Sequence, residues 1–300
     1  MKTAVRPQTV LLVVLIFVIG LALGLVLARP LFRKEEPEDP HAGQVWIYDG
    51  YDWTWMTPLE GVPINDITQE QIRFVSGRPT YRGSDYETVL GVDVSEHQHE
   101  IDWEKVAASG VDFAYIRVGR RGYTQGGLFD DPFFESNLLN ARAAGLRVGV
   151  YFYSQAITPE EAAEEADFVL DRIHGRVMDL PVIFDWEKVD NEDADIARTK
   201  DLDMQTRTAC ALAFCDRIQA GGYDAGLYYN RTLGYYGYDL TQLTDYLVWF
   251  ALPEHAWPSF YYKIDIWQYS FTEEVPGIEG ETDMNILFTK IQTETPAPTA

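Results

Sequence analysis

The sequence predicts an α/β fold, a (β/α)-type barrel of about eight strands, on three observations. Between residues 89 and 289 short apolar runs alternate with helical periods. The runs are apolar on both strand faces, as in parallel strands covered by helices. Eight such runs in about 200 residues favour a closed barrel over an open sheet. Spacings shorten late in the chain, so the last third should hold few helices. An N-terminal transmembrane helix is expected to precede the barrel.

The strand candidates are VLGVDVS (89–95), DFAYIRVG (112–119), LRVGVYFYS (146–154), LPVIFDWE (180–187), YDAGLYYN (223–230), YLVWFAL (246–252) and KIDIWQYS (263–270). The eighth contains DMNILF (283–288). Helical stretches fit 102–109, 131–144, 158–173 and 203–220. The third opens Thr158-Pro159-Glu160-Glu161, a capping residue followed by proline at the first helical position. Gly145 and Gly221 are placed to end two helices.

Val10 to Ala28 is an uncharged apolar and glycine run. Roughly 18 or more such residues read as a membrane span. The competing reading is a signal peptide cleaved after Ala28, although the run is long against the usual h-region of about 7–15 residues. Either reading exports the rest: a single-pass membrane protein with an extracellular domain, or a secreted one. The expected organisation is a short tail (1–9), the membrane segment (10–28), a charged proline-rich linker (29–42) and an extension carrying Trp46, Trp53 and Trp55 (43–88). The barrel (89–289) and a C-terminal tail (290–300) follow. The extension should pack its tryptophans on the barrel, because so many aromatic rings seldom stay exposed.

Charge narrows the function. The net charge is −23, and five of the 24 basic residues precede position 35 with no acid among them, leaving 19 against 47 acids, or −28. Nucleic acid needs Lys and Arg to neutralise phosphate, so it is not a partner. Cys210 and Cys215, about 140° apart around one helix, read as buried free thiols.

The chemistry lies in the carboxylates. The reactive face of a parallel barrel is at the C-terminal ends of its strands. Asp185 and Glu187 sit where the fourth strand emerges, and residues two apart share a face. Asp93 lies near the end of the first strand and Asp283 near the last. Barrel closure would bring all four together. Crowding and burial raise carboxyl pKa values, and an acid kept protonated near neutrality is what a glycosidase needs. No histidine lies near Asp185 and no hard-cation loop is apparent, so no metal is expected.

In order along the chain stand GVDVSEHQ (91–98) with IDW (101–103), FAYIRVG (113–119), AGLRVGVYFYSQA (144–156) and FDWE (184–187). LYYN (227–230), IWQYS (266–270) and GIEGETDMN (277–285) follow. With this series the segment 89–289 resembles the glycoside hydrolase family 25 lysozymes, the Chalaropsis-type muramidases. The resemblance implies an eight-stranded barrel with few helices and no cofactor. It implies cleavage of the β-1,4 bond between N-acetylmuramic acid and N-acetylglucosamine in peptidoglycan. It makes Glu187 the general acid/base, Asp185 its partner, and Asp93 and Asp283 the flanking acids.

The partners expected are thus the peptidoglycan glycan strand and, through residues 10–28, the lipid bilayer. A catalytically silent wall-binding barrel, and a glycosidase for another N-acetylated glycan such as chitin, stay open at this stage. The pattern departs from the family at His99, at Arg117-Val118-Gly119-Arg120 and at Trp249-Phe250-Ala251-Leu252-Pro253, where a cleft tyrosine is missing. Sugar C–H faces pack on aromatic rings. Candidate substrate contacts are therefore Tyr151, Tyr153, Tyr229 and Trp267, with Gln268 and Asn285 on cleft-facing alternations. About half of the strand-end aromatics should instead be core.

Overall fold

The computed structural model describes residues 7–28, 39–189 and 192–291. The expectations for the tail before Pro7, for linker residues 29–38 and for the tail after Ile291 lie outside the described residues.

The chain divides into two compact units. The first runs to Val45 and takes in Trp55–Thr57. It holds α1 (Pro7–Ala28), a helix of 22 residues. Among the described residues no helix is long and apolar enough to cross a membrane. The structure thus supports the helix, and not the bilayer crossing, expected over 10–28.

The second unit, Trp46–Thr54 and everything from Pro58, contains the barrel. Ahead of the barrel come two small sheets, β1 (Val45–Tyr48) with β2 (Trp53–Met56) and β3 (Ile72–Val75) with β4 (Arg78–Tyr81). Ser76 and Gly77 join β3 to β4 with φ of 52° and 83°, the left-handed pair that a two-residue hairpin turn requires. This extension docks through Phe74, whose ring meets Trp267 and Tyr269 edge-on. A backbone bridge joins Ile64 to Tyr262, and Asn65 donates to the carbonyls of Pro258 and Phe260. The tryptophans expected to pack there are only partly covered: Trp46 and Trp53 remain 52% and 56% exposed.

The barrel strands are β5 (Tyr86–Val94), β6 (Phe113–Arg121), β8 (Arg147–Ser154), β9 (Val182–Trp186), β10 (Ala225–Asn230), β11 (Leu247–Ala251), β12 (Ile266–Glu274) and β13 (Glu281–Lys290). They pair in the order β5-β13-β12-β11-β10-β9-β8-β6, and a β5–β6 pairing closes the ring. A short β7 (Leu128–Asp130) hangs on β6 as an antiparallel partner. The eight predicted strands are these eight. One correction concerns direction, since β13 runs antiparallel to both β12 and β5. Only residues 275–280 separate it from β12, too few for the crossover that a parallel pair needs.

Helices α2 (Trp103–Ala108), α3 (Phe134–Ala143), α4 (Pro159–Ile173) and α5 (Met204–Ala220) all precede residue 221. Beyond it the described residues hold only a π turn at Leu233–Gly237 and a 3-10 turn at Leu240–Gln242. Thr158 caps α4 by accepting from the Glu161 amide, with Pro159 at the first position. Gly145 follows α3 at φ 88°. At the end of α5 the left-handed residue is Gly222 rather than Gly221. Cys210 and Cys215 are buried and free.

Strand alternation sorts the barrel into an inside and an outside. Outward Phe184 packs on Phe214 of α5, and outward Trp186 lies under the Arg207 guanidinium at 4.2 Å. Inward side chains fill the lower barrel with Phe113, Tyr115, Ile183, Ile266 and Leu287. Two glycines make room for the large rings. A Cβ on Gly91 would lie 2.2 Å from Phe113, and one on Gly149 would lie 2.4 Å from Tyr115.

Candidate active site

Above that apolar filling the inward positions turn polar, and a cavity of about 200 Å³ opens. Asp93, Asp185, Glu187 and Asp283 all line it. The four acids proposed from sequence therefore meet in one place. Asp93 and Asp185 are buried, and Glu187 and Asp283 are half-buried.

Two registers make the meeting. Asp185 on β9 lies beside Tyr153 of β8 and Tyr228 of β10. Asp283 on β13 lies directly opposite Asp93 on β5. Asp283 stands at the start of its strand, so a parallel β13 would have sent it to the far end of the barrel. The reversed direction brings it to the C-terminal ends of the other strands.

A hydrogen-bond relay forms the floor. Trp249 Nε1 donates to Asn285 Oδ1 at 2.7 Å, and Asn285 Nδ2 donates to Asp93 Oδ2 at 2.7 Å. Gln268 Nε2 donates to Asp93 Oδ2 at 2.9 Å and to Asp283 Oδ2 at 3.3 Å. Tyr228 OH donates to Gln268 Oε1 at 2.7 Å. Each amide is thus fixed on both sides, and Asp93 is held rigidly by neutral donors. Glu187 is steadied through its backbone. Gln155 Nε2 donates to the Glu187 carbonyl at 2.8 Å, and Thr199 Oγ1 donates to Gln155 Oε1 at 2.9 Å.

The electrostatics follow from burial among like charges. Desolvation lifts Asp93 to about 6, against the opposing effect of its Asn285 and Gln268 donors. Asp283 rises to about 9, first through desolvation and then through the Asp93 and Glu187 charges. Asp185 goes well above the usual carboxyl range, through burial and the neighbouring Glu187. Arg117 faces this cluster but is already engaged by Asp131 at 2.9 Å and Glu96 at 2.8 Å. One oxygen, Asp185 Oδ1, is buried with no hydrogen-bond partner. The cavity therefore offers acids that keep protons near neutrality and an acceptor with nothing to accept. Among the described residues no group of three or more His, Cys, Asp or Glu is placed to hold a metal ion.

The substrate-contact candidates divide. Tyr151, Tyr153 and Gln268 line the cavity, and Asn285 lies beneath it in the relay. Tyr229 and Trp267 do not line it. Tyr229 is buried against Tyr238, Phe250 and Phe260, and Trp267 is covered by Phe74 and donates to the Leu252 carbonyl. Both are corrections of strand parity: the alternation that points Tyr228 and Gln268 inward points their neighbours out. Sequence reasoning missed Tyr228, Arg117 and His97 as lining groups; Trp249, one of the strand-end aromatics, lines the cavity as well. The first two follow by counting in twos from Gly226 and from Tyr115. His97, rather than His99, reaches the cavity; His99 sits at φ 53° with its ring edge-on to Phe133.

The comparisons with known proteins agree with this geometry. Residues 92–278 match the model of "Glycosyl hydrolases family 25". The chain is 26% identical over 211 residues to lysozyme M1 of Streptomyces globisporus, covering 67% of this chain and 68% of that protein. Among solved structures, the bacterial lysozyme of Streptomyces coelicolor superposes with a TM-score of 0.53 at 25% identity, over 66% of this chain and 90% of its own. The modular autolysin LytC of Streptococcus pneumoniae, solved with a synthetic peptidoglycan ligand, gives 0.59 at 22% identity, over 73% and 52%. A family match spanning the barrel from β5 to the turn before β13, on a barrel whose upper end gathers four acids, settles membership: the chain belongs to the glycosyl hydrolases of family 25.

Proposed function

We propose that the protein is an exported peptidoglycan muramidase. It hydrolyses the β-1,4 bond between N-acetylmuramic acid and N-acetylglucosamine, with Glu187 as general acid and base. The observation that carries the roles is the pair at the end of β9. Glu187 reaches the cavity from a backbone pinned by Gln155, while the neighbouring Asp185 holds a buried oxygen without a donor. A sugar acetamido N–H is a fitting donor for that oxygen. Asp185 then orients the N-acetyl group at the reacting carbon while Glu187 protonates the leaving oxygen. Asp93 and Asp283 hold the surrounding charge low by sharing protons. Peptidoglycan is the substrate in this reading because the barrel is that of lysozymes and of an autolysin solved with a peptidoglycan ligand.

Glu187→Gln should abolish release of reducing ends from purified peptidoglycan while the melting temperature stays put. Undiminished turnover would remove Glu187 as the proton donor. A parent chain that binds the wall but never cuts it would make the barrel a wall-binding module.

Residues 10–28 are proposed to tether this enzyme to the bilayer, on the strength of their uncharged apolar run. The full chain should then pellet with membranes through a high-salt wash, and deletion of 10–28 should release it. Recovery of a chain beginning after Ala28 in the medium would show cleavage instead.

A further inference from the structure

The chain builds a second concavity, separate from the carboxylate cavity, where the extension meets the rim of the barrel. Its volume is about 770 Å³. One wall is Trp46, Tyr48 and Trp53 of the extension; the other is Arg231, just past the end of β10, with Trp257 and Phe260 of the segment after β11. It therefore lies on the same rim as the acids. Tyr228 lines the carboxylate cavity and Arg231 lines this groove, so at most about 11 Å of chain separates the two linings.

Three features define its occupant. First, the rings are aromatic and half exposed: Trp46 and Trp53 stack with centroids 6.2 Å apart and are 52% and 56% exposed. Second, Arg231 is 6% exposed, and its Nε–H has no hydrogen-bond partner, although its Nη2 donates to Ser259. The Arg231 guanidinium, which lines the groove and lies 5.2 Å from the Tyr48 ring centroid, is a fixed cationic donor suited to an oxygen acceptor. Third, the chain past residue 34 carries −28, so long-range charge does not recruit a polyanion. A pyranose with an N-acetyl group meets all three demands. It offers apolar C–H faces for the indoles and a neutral carbonyl oxygen for the arginine.

We propose that this groove is an accessory glycan site that holds N-acetylated sugar rings of a strand beside the cutting site. Trp46 and Trp53 supply the stacking platform, and Arg231 supplies a polar anchor. The family match starts at residue 92, so the platform belongs to this chain's own extension. The inference rests on the muramidase reading for its sugar class.

The test uses the full chain carrying Glu187→Gln, so that no probe is cut. The probe is chitohexaose, a neutral β-1,4 oligomer of N-acetylglucosamine. Its binding should shift the indole emission to the blue. Adding Trp53→Ala should remove most of that shift and weaken the affinity about tenfold by calorimetry. Trp53→Phe, which restores a ring face, should recover most of the affinity. Trp53 is half exposed, so the alanine variant should melt with the parent. Equal affinity in the parent and the alanine variant overturns the proposal, as does a parent that does not bind the hexamer. Because the readout is binding, an absence of wall cleavage by the native chain counts against the muramidase reading and leaves this result standing.

Discussion

The barrel buries two clusters of acids and treats them in opposite ways. At the top of the interior, Asp93, Asp185 and Asp283 crowd together, and the nearest guanidinium, Arg117, is held by Asp131 and Glu96. On the outer side, between β6 and α4, fully buried Glu165 receives Arg121 directly at 2.6 Å, and Glu164 adds a second contact at 2.7 Å. Arg121 also donates to the carbonyls of Gly126 and Glu161. Burial lifts Glu165 to about 7 even so. The outer cluster compensates charge with charge. The inner one leaves charge uncompensated and answers by holding protons. A scaffold needs the first arrangement, and an acid–base site is served by the second.

The largest expected effect separates the two in activity. Glu187→Gln should lower turnover by about 10²–10⁴-fold, measured as muropeptide release, with an unfolding midpoint no lower than the parent's. The outer cluster should behave inversely. Arg121→Met leaves Glu165 buried without its cation and should cost about 3–5 kcal/mol of stability by denaturant titration, while turnover per folded molecule survives. Equal stability in that variant would mean that the outer cluster is as indifferent to pairing as the inner one.

The remaining effect concerns pH. Asp283 rises to about 9 in the folded protein from an ordinary value of 3.8. Between those limits the folded state keeps a proton that the unfolded chain has lost, so stability falls as pH rises. Asp283→Asn removes that dependence. It should melt higher than the parent at pH 8, with the gap closing towards pH 4, and it should work less well. Asp93, raised to about 6, contributes in the same sense over the lower part of the range. A parent chain that gains stability from pH 5 to pH 8 to the same extent as the variant would contradict the sharing of protons in the inner cluster.

Much of this was legible in the chain because burial on both faces leaves long apolar runs. All eight barrel strands and four helices follow from such runs and their caps. The four acids followed from their place at run ends. Direction was harder. Nothing in DMNILF states which way the strand points, and only the short 275–280 link, read as a turn, excludes a crossover. Parity was harder again. Tyr228 and Tyr229 are chemically the same, and their assignment depends on a register set by Asp185 across β9. Trp267 looks like a sugar platform until Phe74, nearly two hundred residues earlier, is found lying against it. The tryptophans of the extension read as packing groups because so many aromatic rings seldom stay exposed together.

The reversed last strand carries one more consequence. Asn285 reaches back across 192 residues to grip Asp93, so the first and final pieces of the barrel complete the site together. A ribosome must extend the chain past Asn285 before the four acids can be brought together. Activity is thereby withheld from nascent chains that stop short of it, and truncating the product between Asp93 and Asp283 should silence it at a stroke.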